Sequence, residues 1–138
     1  FTMNEFIANI RDRLHFIRYA PIVFISAKEG QRVHQVMEVA YRVWESRFFR
    51  IPTSDVNRIM RDAVNQHPPH GKGTKRLKFL YATQVRTDPP VILFHVNDPS
   101  QVHFTYKRYL ENQFREAYEF EGTPLRLSFR ARSEKEKS

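Results

Sequence analysis

Apolar residues recur at three- and four-residue spacing through Phe6, Ile7, Ile10, Leu14 and Ile17. That spacing predicts an amphipathic helix over 2–17, with Glu5, Arg11, Asp12 and Arg13 on its solvent side. Tyr19-Ala20-Pro21 breaks it. The next run, Ile22-Val23-Phe24-Ile25, is apolar at every position and reads as a strand buried on both faces, as in a parallel sheet covered by helices. Gly30 and Gln31 then turn the chain into a second helix over about 33–48, with Val33, Val36, Met37, Ala40 and Val43 on one face and Trp44 beside them. Helix, buried strand, loop, helix is the closing portion of a doubly wound α/β fold. One strand cannot make such a sheet, so residues 1–48 are expected to be an α/β remnant whose neighbouring strands come from elsewhere, with Phe1 entering partway through an element.

After Ile51-Pro52 the pattern changes. Thr53 or Ser54 is placed to cap a third helix, Asp55 to complement its dipole, and Val56, Ile59, Met60, Ala63 and Val64 to form its buried stripe. His67-Pro68-Pro69 stops it, and 70–74 reads as a mobile basic loop. From Lys75 to Val85 the residues alternate, Leu77, Phe79 and Tyr81 against Arg76 and Lys78, which predicts a half-buried strand. Residues 91–96 are apolar on both faces and so predict a central strand.

Asp98 as a cap and Pro99 in the first turn predict a long helix that turns Val102, Tyr106, Tyr109, Leu110, Phe114 and Ala117 inward. Lys107, Arg108, Glu111, Arg115 and Glu116 face outward, and Gly122 supplies the helix end in the left-handed region. Leu125, Leu127 and Phe129 alternate with Arg126, Ser128 and Arg130 in a third strand with one basic face, and 133–138 reads as a flexible charged tail. Residues 51–132 are thus expected to form an α+β unit with a three-stranded sheet backed by helices. No Gly/Ser linker precedes it, so it should pack rigidly on the first segment.

Composition adds the chemistry. At 138 residues with 41% hydrophobic and 14% aromatic content the chain can bury a real core, and with no cysteine it has neither disulfides nor thiolate metal sites, as suits a cytoplasmic protein. No apolar run approaches the roughly 18 residues that span a bilayer. The net charge of +8 points to a polyanionic partner, nucleic acid ahead of an anionic membrane surface. Residues 1–50 carry eight Lys and Arg against five Asp and Glu, and residues 51–138 fifteen against ten, so the charge is spread over folded surface and not held in an arm.

P-loop GTPases carry Ser-Ala-Lys in the loop after the last central strand, and Ser26-Ala27-Lys28 resembles that guanine-facing element. A residue as small as Ala27 lets its backbone N–H approach the guanine carbonyl oxygen, while the Ser26 hydroxyl braces the turn. The same tripeptide also suits an ordinary strand-to-helix turn. Nothing in the sequence matches G-x-x-x-x-G-K-[ST] or Asn-Lys-x-Asp, so the chain as it stands is expected not to hydrolyse a nucleoside triphosphate, and it offers no catalytic residue. Arg76, Lys78, Arg126 and Arg130 are RNA-contact candidates if the strands carrying them are neighbours; otherwise they form a solvated face. Tyr106 and Tyr109, at helical spacing, suit core packing better than base stacking. His67 and His70 lack the carboxylate or thiolate company of a metal site, and none is expected.

Four stretches in this order carry a family resemblance: 20–28, Arg58-Ile59-Met60, Tyr106-Lys107-Arg108-Tyr109-Leu110, and Gly122-Thr123-Pro124-Leu125-Arg126-Leu127-Ser128-Phe129. Together they resemble the C-terminal end of the Der (EngA) family over essentially the whole chain. The resemblance implies bacterial GTPases with two tandem G domains and a KH-like domain, acting in large (50S) ribosomal subunit assembly. It makes residues 1–48 the end of the second G domain and 51–132 the KH-like domain. It implies guanine contacts at Ser26, Ala27 and Lys28, with GTP or GDP and Mg2+ bound by the parent protein and none by this stretch alone. The partners it implies are ribosomal RNA of the large subunit and the upstream G domains, with no membrane and no DNA. One departure stands out: KH domains that read RNA clamp backbone phosphates with a G-x-x-G loop between two helices. Gly71 and Gly73 are two apart and lie between a helix and a strand. That favours a domain that packs on G domains and presents basic surface to RNA; the alternative is a free-standing KH-like RNA- or protein-binding module with no enzymatic role.

Overall fold

The computed structural model describes residues 2–70 and 76–132, so most of the 70–74 loop and the 133–138 tail lie outside the described residues. The first segment holds α1 (Met3–Arg13), a 3-10 turn at His15–Ile17, and α2 (Val33–Phe48). Thr2 opens α1 with a capping box: its hydroxyl accepts the Glu5 N–H while the Glu5 carboxylate accepts the Thr2 N–H. The helix predicted over 2–17 ends early, at Arg13, because Arg11 reaches forward to donate to the carbonyls of Arg18 and Ala20 and folds the chain back at Leu14.

The strand predicted at 22–25 does not form. Its nearest β-type contact is a single bridge between Ser26 and Gln31. A strand apolar on both faces needs ladder partners on both sides, and the described residues supply none. The expected α/β arrangement of this segment is therefore present only as its two helices and the loop between them.

The second segment follows the predicted order: α3 (Thr53–Gln66), β1 (Phe79–Arg86), β2 (Val91–Val96), α4 (Phe104–Ala117) and β3 (Arg126–Ala131). Its sheet runs β1-β2-β3, antiparallel between β1 and β2 and parallel between β2 and β3, with α3 packed on β1 and α4 on β3. The core lies between Ile51 and Leu125 and is built on Phe94, Phe114, Leu110, Ile92, Met60 and Val56.

Four local expectations change. A bulge between Phe79 and Tyr81 places Phe79 beside Phe94 and Phe129 in the core but turns Tyr81 to the opposite face, where it stacks on His95 at 4.1 Å. Pro52, not Thr53 or Ser54, occupies the N-cap of α3, without a side-chain cap bond. Asp98 caps only a 3-10 turn, Pro99–Gln101, because Val102 leaves helical geometry to bury its side chain, and α4 starts afresh at Phe104. Gly122 has the expected positive φ of 66°, but it sits in a separate turn beyond the end of α4 at Ala117.

Two amides close polar gaps that apolar packing leaves. β1 is an edge strand, and the Asn57 side chain acts as its missing neighbour, donating to the Ala82 carbonyl and accepting the Ala82 N–H, both at 2.9 Å. Asn57→Ala should therefore lower stability by about 1–3 kcal/mol, as measured by urea unfolding, since it orphans a donor and an acceptor at once. Gln84, buried, accepts the Ile51 N–H at 2.7 Å and donates to Phe49 and Arg86, which fastens the connection between the two segments to the sheet.

Tyr106 and Tyr109 act as packing residues, donating to the carbonyls of His67 and Ala63 at 2.9 and 2.6 Å and so tying α4 to the end of α3. Burial pushes the Tyr106 hydroxyl up to about 12. The neutral phenol is the form the fold favours, so its contribution is fully present below the unfolded value near 10 and is lost as pH rises through 12. Urea midpoints should fall over that interval, and Tyr106→Phe should flatten part of the fall. Burial also raises Tyr109, and the hydrogen bond to Asp55 raises Tyr118, so both add to the fall.

Candidate guanine-facing loop and basic surface

Beyond Ile25 the chain reverses in a tight turn. The Ser26 N–H donates to the Gln31 carbonyl at 3.1 Å, and the Ser26 hydroxyl accepts the Glu29 N–H at 3.3 Å. Gly30 and Arg32, both at positive φ, then aim the chain into α2. Ala27 and Lys28 project from the turn into solvent, and the Ala27 N–H has no hydrogen-bond partner among the described residues. Ser26, Ala27 and Lys28 are thus brought together in one turn that the Ser26 hydroxyl holds in shape, with Ala27 and Lys28 exposed.

The four basic candidates are exposed but do not sit on neighbouring strands, because β2 separates β1 from β3. Arg76 and Lys78 precede β1, held by the Asn97 side chain, which accepts the Lys78 N–H and donates to the Arg76 carbonyl, both at 2.8 Å. Arg130 pairs opposite His95, near that same end of the sheet, whereas Arg126 pairs opposite Val91 at the other end. Three of the four share one end; Arg126 does not.

Sequence reasoning missed the junction between the segments. Gly122 donates its N–H to the Tyr19 carbonyl at 2.9 Å, and the Thr123 hydroxyl reaches the Val43 carbonyl at 3.4 Å. Arg42 grips Glu121 with two hydrogen bonds, 2.9 and 3.2 Å, which raise the pKa of its guanidinium, and Arg47 pairs with Asp88. Arg115, expected to face solvent, turns inward and donates to the carbonyls of Glu119, Phe120 and Thr123, with its guanidinium 5.3 Å from the Tyr19 ring. Burial lowers its pKa from the usual guanidinium value. No local pattern signals such contacts; the helical position of Arg115 alone gives an outward reading.

Residues 50–130 match the family described as KH-domain-like of EngA bacterial GTPase enzymes, C-terminal. The chain belongs to this family. It is 44% identical over 135 residues to GTPase Der of Geobacter metallireducens, an alignment covering 98% of this chain and 31% of that protein. GTPase Der of Herpetosiphon aurantiacus is 52% identical over 124 residues, covering 88% of the chain and 27% of the relative. The protein of the same name from Chloroflexus aggregans is 47% identical over 136 residues, covering 98% and 30%. The chain therefore spans less than a third of the length of these curated relatives, and the likeness extends through the first segment as well as the KH-like residues. In this EngA-type KH-like domain the junction between the Pro99–Gln101 turn and α4 reads Ser100-Gln101-Val102-His103, with no glycine. A G-x-x-G loop therefore does not occur there.

Proposed function

We propose that this chain is the C-terminal region of a Der-type GTPase acting in large ribosomal subunit assembly. In this reading residues 1–48 close the second G domain, Ser26, Ala27 and Lys28 face the guanine, and the KH-like domain packs on G domains and contacts ribosomal RNA. GTP or GDP with Mg2+ would be held by upstream residues; this chain's own part is the base-facing turn.

The observation that supports it best is the state of α2, a 16-residue helix with no buried residue. Met37, Tyr41, Trp44 and Phe48 follow one stripe at spacings of four, three and four, and Met37 is 72% exposed. Among the described residues the rings of Tyr41, Trp44 and Phe48 lean only on each other, Tyr41 on Trp44 at 5.9 Å and Trp44 on Phe48 at 5.3 Å. An apolar stripe of that length calls for a sheet to cover it, and the apolar run at 22–25 calls for strands on either side. Both demands are met at once if further strands of a doubly wound domain pack here.

The test compares guanine nucleotide affinity and GTP hydrolysis of this chain with those of a version extended upstream. This chain alone should do neither, and the extended one both. Within the extended version Ala27→Leu should weaken guanine nucleotide binding at least about tenfold by holding the base off the turn. Unchanged affinity in that variant would remove the turn from the purine site. The confinement of the core to 51–125 favours one second reading, a KH-like module that works without a G domain. Salt-sensitive RNA binding by residues 50–132 that extension leaves unchanged would select it.

A further inference from the structure

A cleft of about 530 Å³ runs between the His15–Ile17 turn and α4, where the two segments meet. That volume falls within the roughly 300–1,000 Å³ of small-ligand sites. Phe16 and Phe104 stand on its walls with 68% and 70% of their surface exposed. Neither ring belongs to the core, so both keep apolar faces in water. Arg18, Arg108 and Arg115 line the same cleft. Arg115 is committed to backbone carbonyls and lies 3.7 Å from Glu111, the acid of the cleft. The side chains of Arg18 and Arg108 have no hydrogen-bond or ion-pair partner among the described residues. Arg108 instead lies over the Phe104 ring, its guanidinium carbon 5.8 Å from the centroid, a contact that leaves its N–H groups without an anionic partner. The uncommitted charge here is positive, and it sits beside two largely exposed aromatic rings.

That pairing of groups has a specific use. A phosphate alone would be served by arginines without rings, and an acidic peptide likewise. Duplex RNA keeps its bases stacked inside the helix, beyond the reach of a ring in a cleft. A single strand offers both an unstacked base and an adjacent phosphate. We propose that this cleft binds single-stranded RNA, stacking an unpaired base on Phe16 and Phe104 and taking its phosphate on Arg18 and Arg108. The inference rests on the reading that the KH-like domain contacts ribosomal RNA, and it moves the principal contact from the sheet to the seam between the segments.

The experiment is fluorescence anisotropy on the whole chain with labelled single-stranded polyuridylate and a hairpin duplex at several salt concentrations. Phe16→Ala and Phe104→Ala should each weaken single-strand binding about 5- to 150-fold with the salt slope unchanged. Arg108→Ala should weaken it and reduce that slope by about one. Phe104→Tyr, which keeps the ring, should bind as the parent does. Both phenylalanines are exposed, so thermal melts should stay in place. RNA binding that ignores the cleft variants overturns this site while leaving the broader RNA reading intact. Absence of any RNA binding overturns both. Equal displacement by polyglutamate and by single-stranded RNA, with no effect of either phenylalanine variant, reduces the cleft to a charged surface and overturns the proposal.

Discussion

Truncating Phe94 to alanine should cost this chain about 3–5 kcal/mol of unfolding free energy, the range for removing a large buried aromatic side chain. Phe94 is fully buried at the centre of β2, the strand paired on both sides. Its ring stacks on Phe129 from β3 at 5.1 Å and meets Phe114 of α4 edge-on at 5.8 Å and Phe79 of β1 at 6.0 Å. One side chain thus joins all three strands to a helix, and each aromatic pair adds about 0.5–1.5 kcal/mol beyond buried area. A total stability of 5–15 kcal/mol leaves little after such a loss. The contrast is Phe104→Ala, the same chemical change at a ring that is 70% exposed, which should stay within about 0.5 kcal/mol. Urea unfolding of the two variants side by side measures the difference; equal effects would mean that the core does not centre on Phe94.

The contrast between those two phenylalanines also marks where sequence reading works. Phe114, Leu110, Ile59 and Met60 could be assigned to the core because each falls on the apolar side of a helical period, and Phe94 because its strand is apolar on both faces; all five are buried. The helix-strand-strand-helix-strand order of 51–132 is legible for the same reason. Departures arise where a long-range contact outweighs the local pattern. Val102, read as part of the long helix, is extended and buried between the Pro99–Gln101 turn and α4. Tyr81 changes face because a bulge, set by pairing with β2, shifts the alternation by one. Asn57, Gln84 and Arg115 have polar partners 25, 33 and 8 residues away, and nothing near them in sequence announces those bonds.

The candidate sites divide along the same line. Ser26, Ala27 and Lys28 lie in one turn whose geometry is local, so the hydroxyl brace inferred from the tripeptide appears as the bond from the Glu29 N–H. The grouping of Arg76 and Lys78 with Arg126 and Arg130 depended on strand order. The parallel pairing of β3 with β2 places β2 between them, and parallel pairing leaves no local mark in the chain. The cleft at Phe16 and Phe104 joins residues from two segments and had no signal in either.

The seam itself turns on one glycine, and Gly122→Ala should loosen it. At φ 66° an alanine is strained, and this costs about 1–3 kcal/mol before any contact is counted. Space is the second problem. The added Cβ would overlap Val43 Cγ2 and lie 3.0 Å from Val43 Cγ1 and 3.2 Å from Pro21 Cδ, all of them atoms of the first segment. The chain relieves the overlap most easily by parting the segments, which breaks the bond from the Gly122 N–H to the Tyr19 carbonyl and exposes the Arg115 cluster beneath. Hydrogen exchange should therefore rise at Gly122 and Thr123 while protection on β2 is kept, because the core between Ile51 and Leu125 does not depend on the seam. The double variant Gly122→Ala with Val43→Ala separates the causes: it should recover the steric part and leave the backbone part. Full recovery would make the positive φ irrelevant, and no recovery would make Val43 a bystander. If the two segments move as one body in the parent protein, the same substitution should loosen their coupling, since two of the remaining links, Arg42 with Glu121 and Arg47 with Asp88, are solvent-accessible ion pairs that add little.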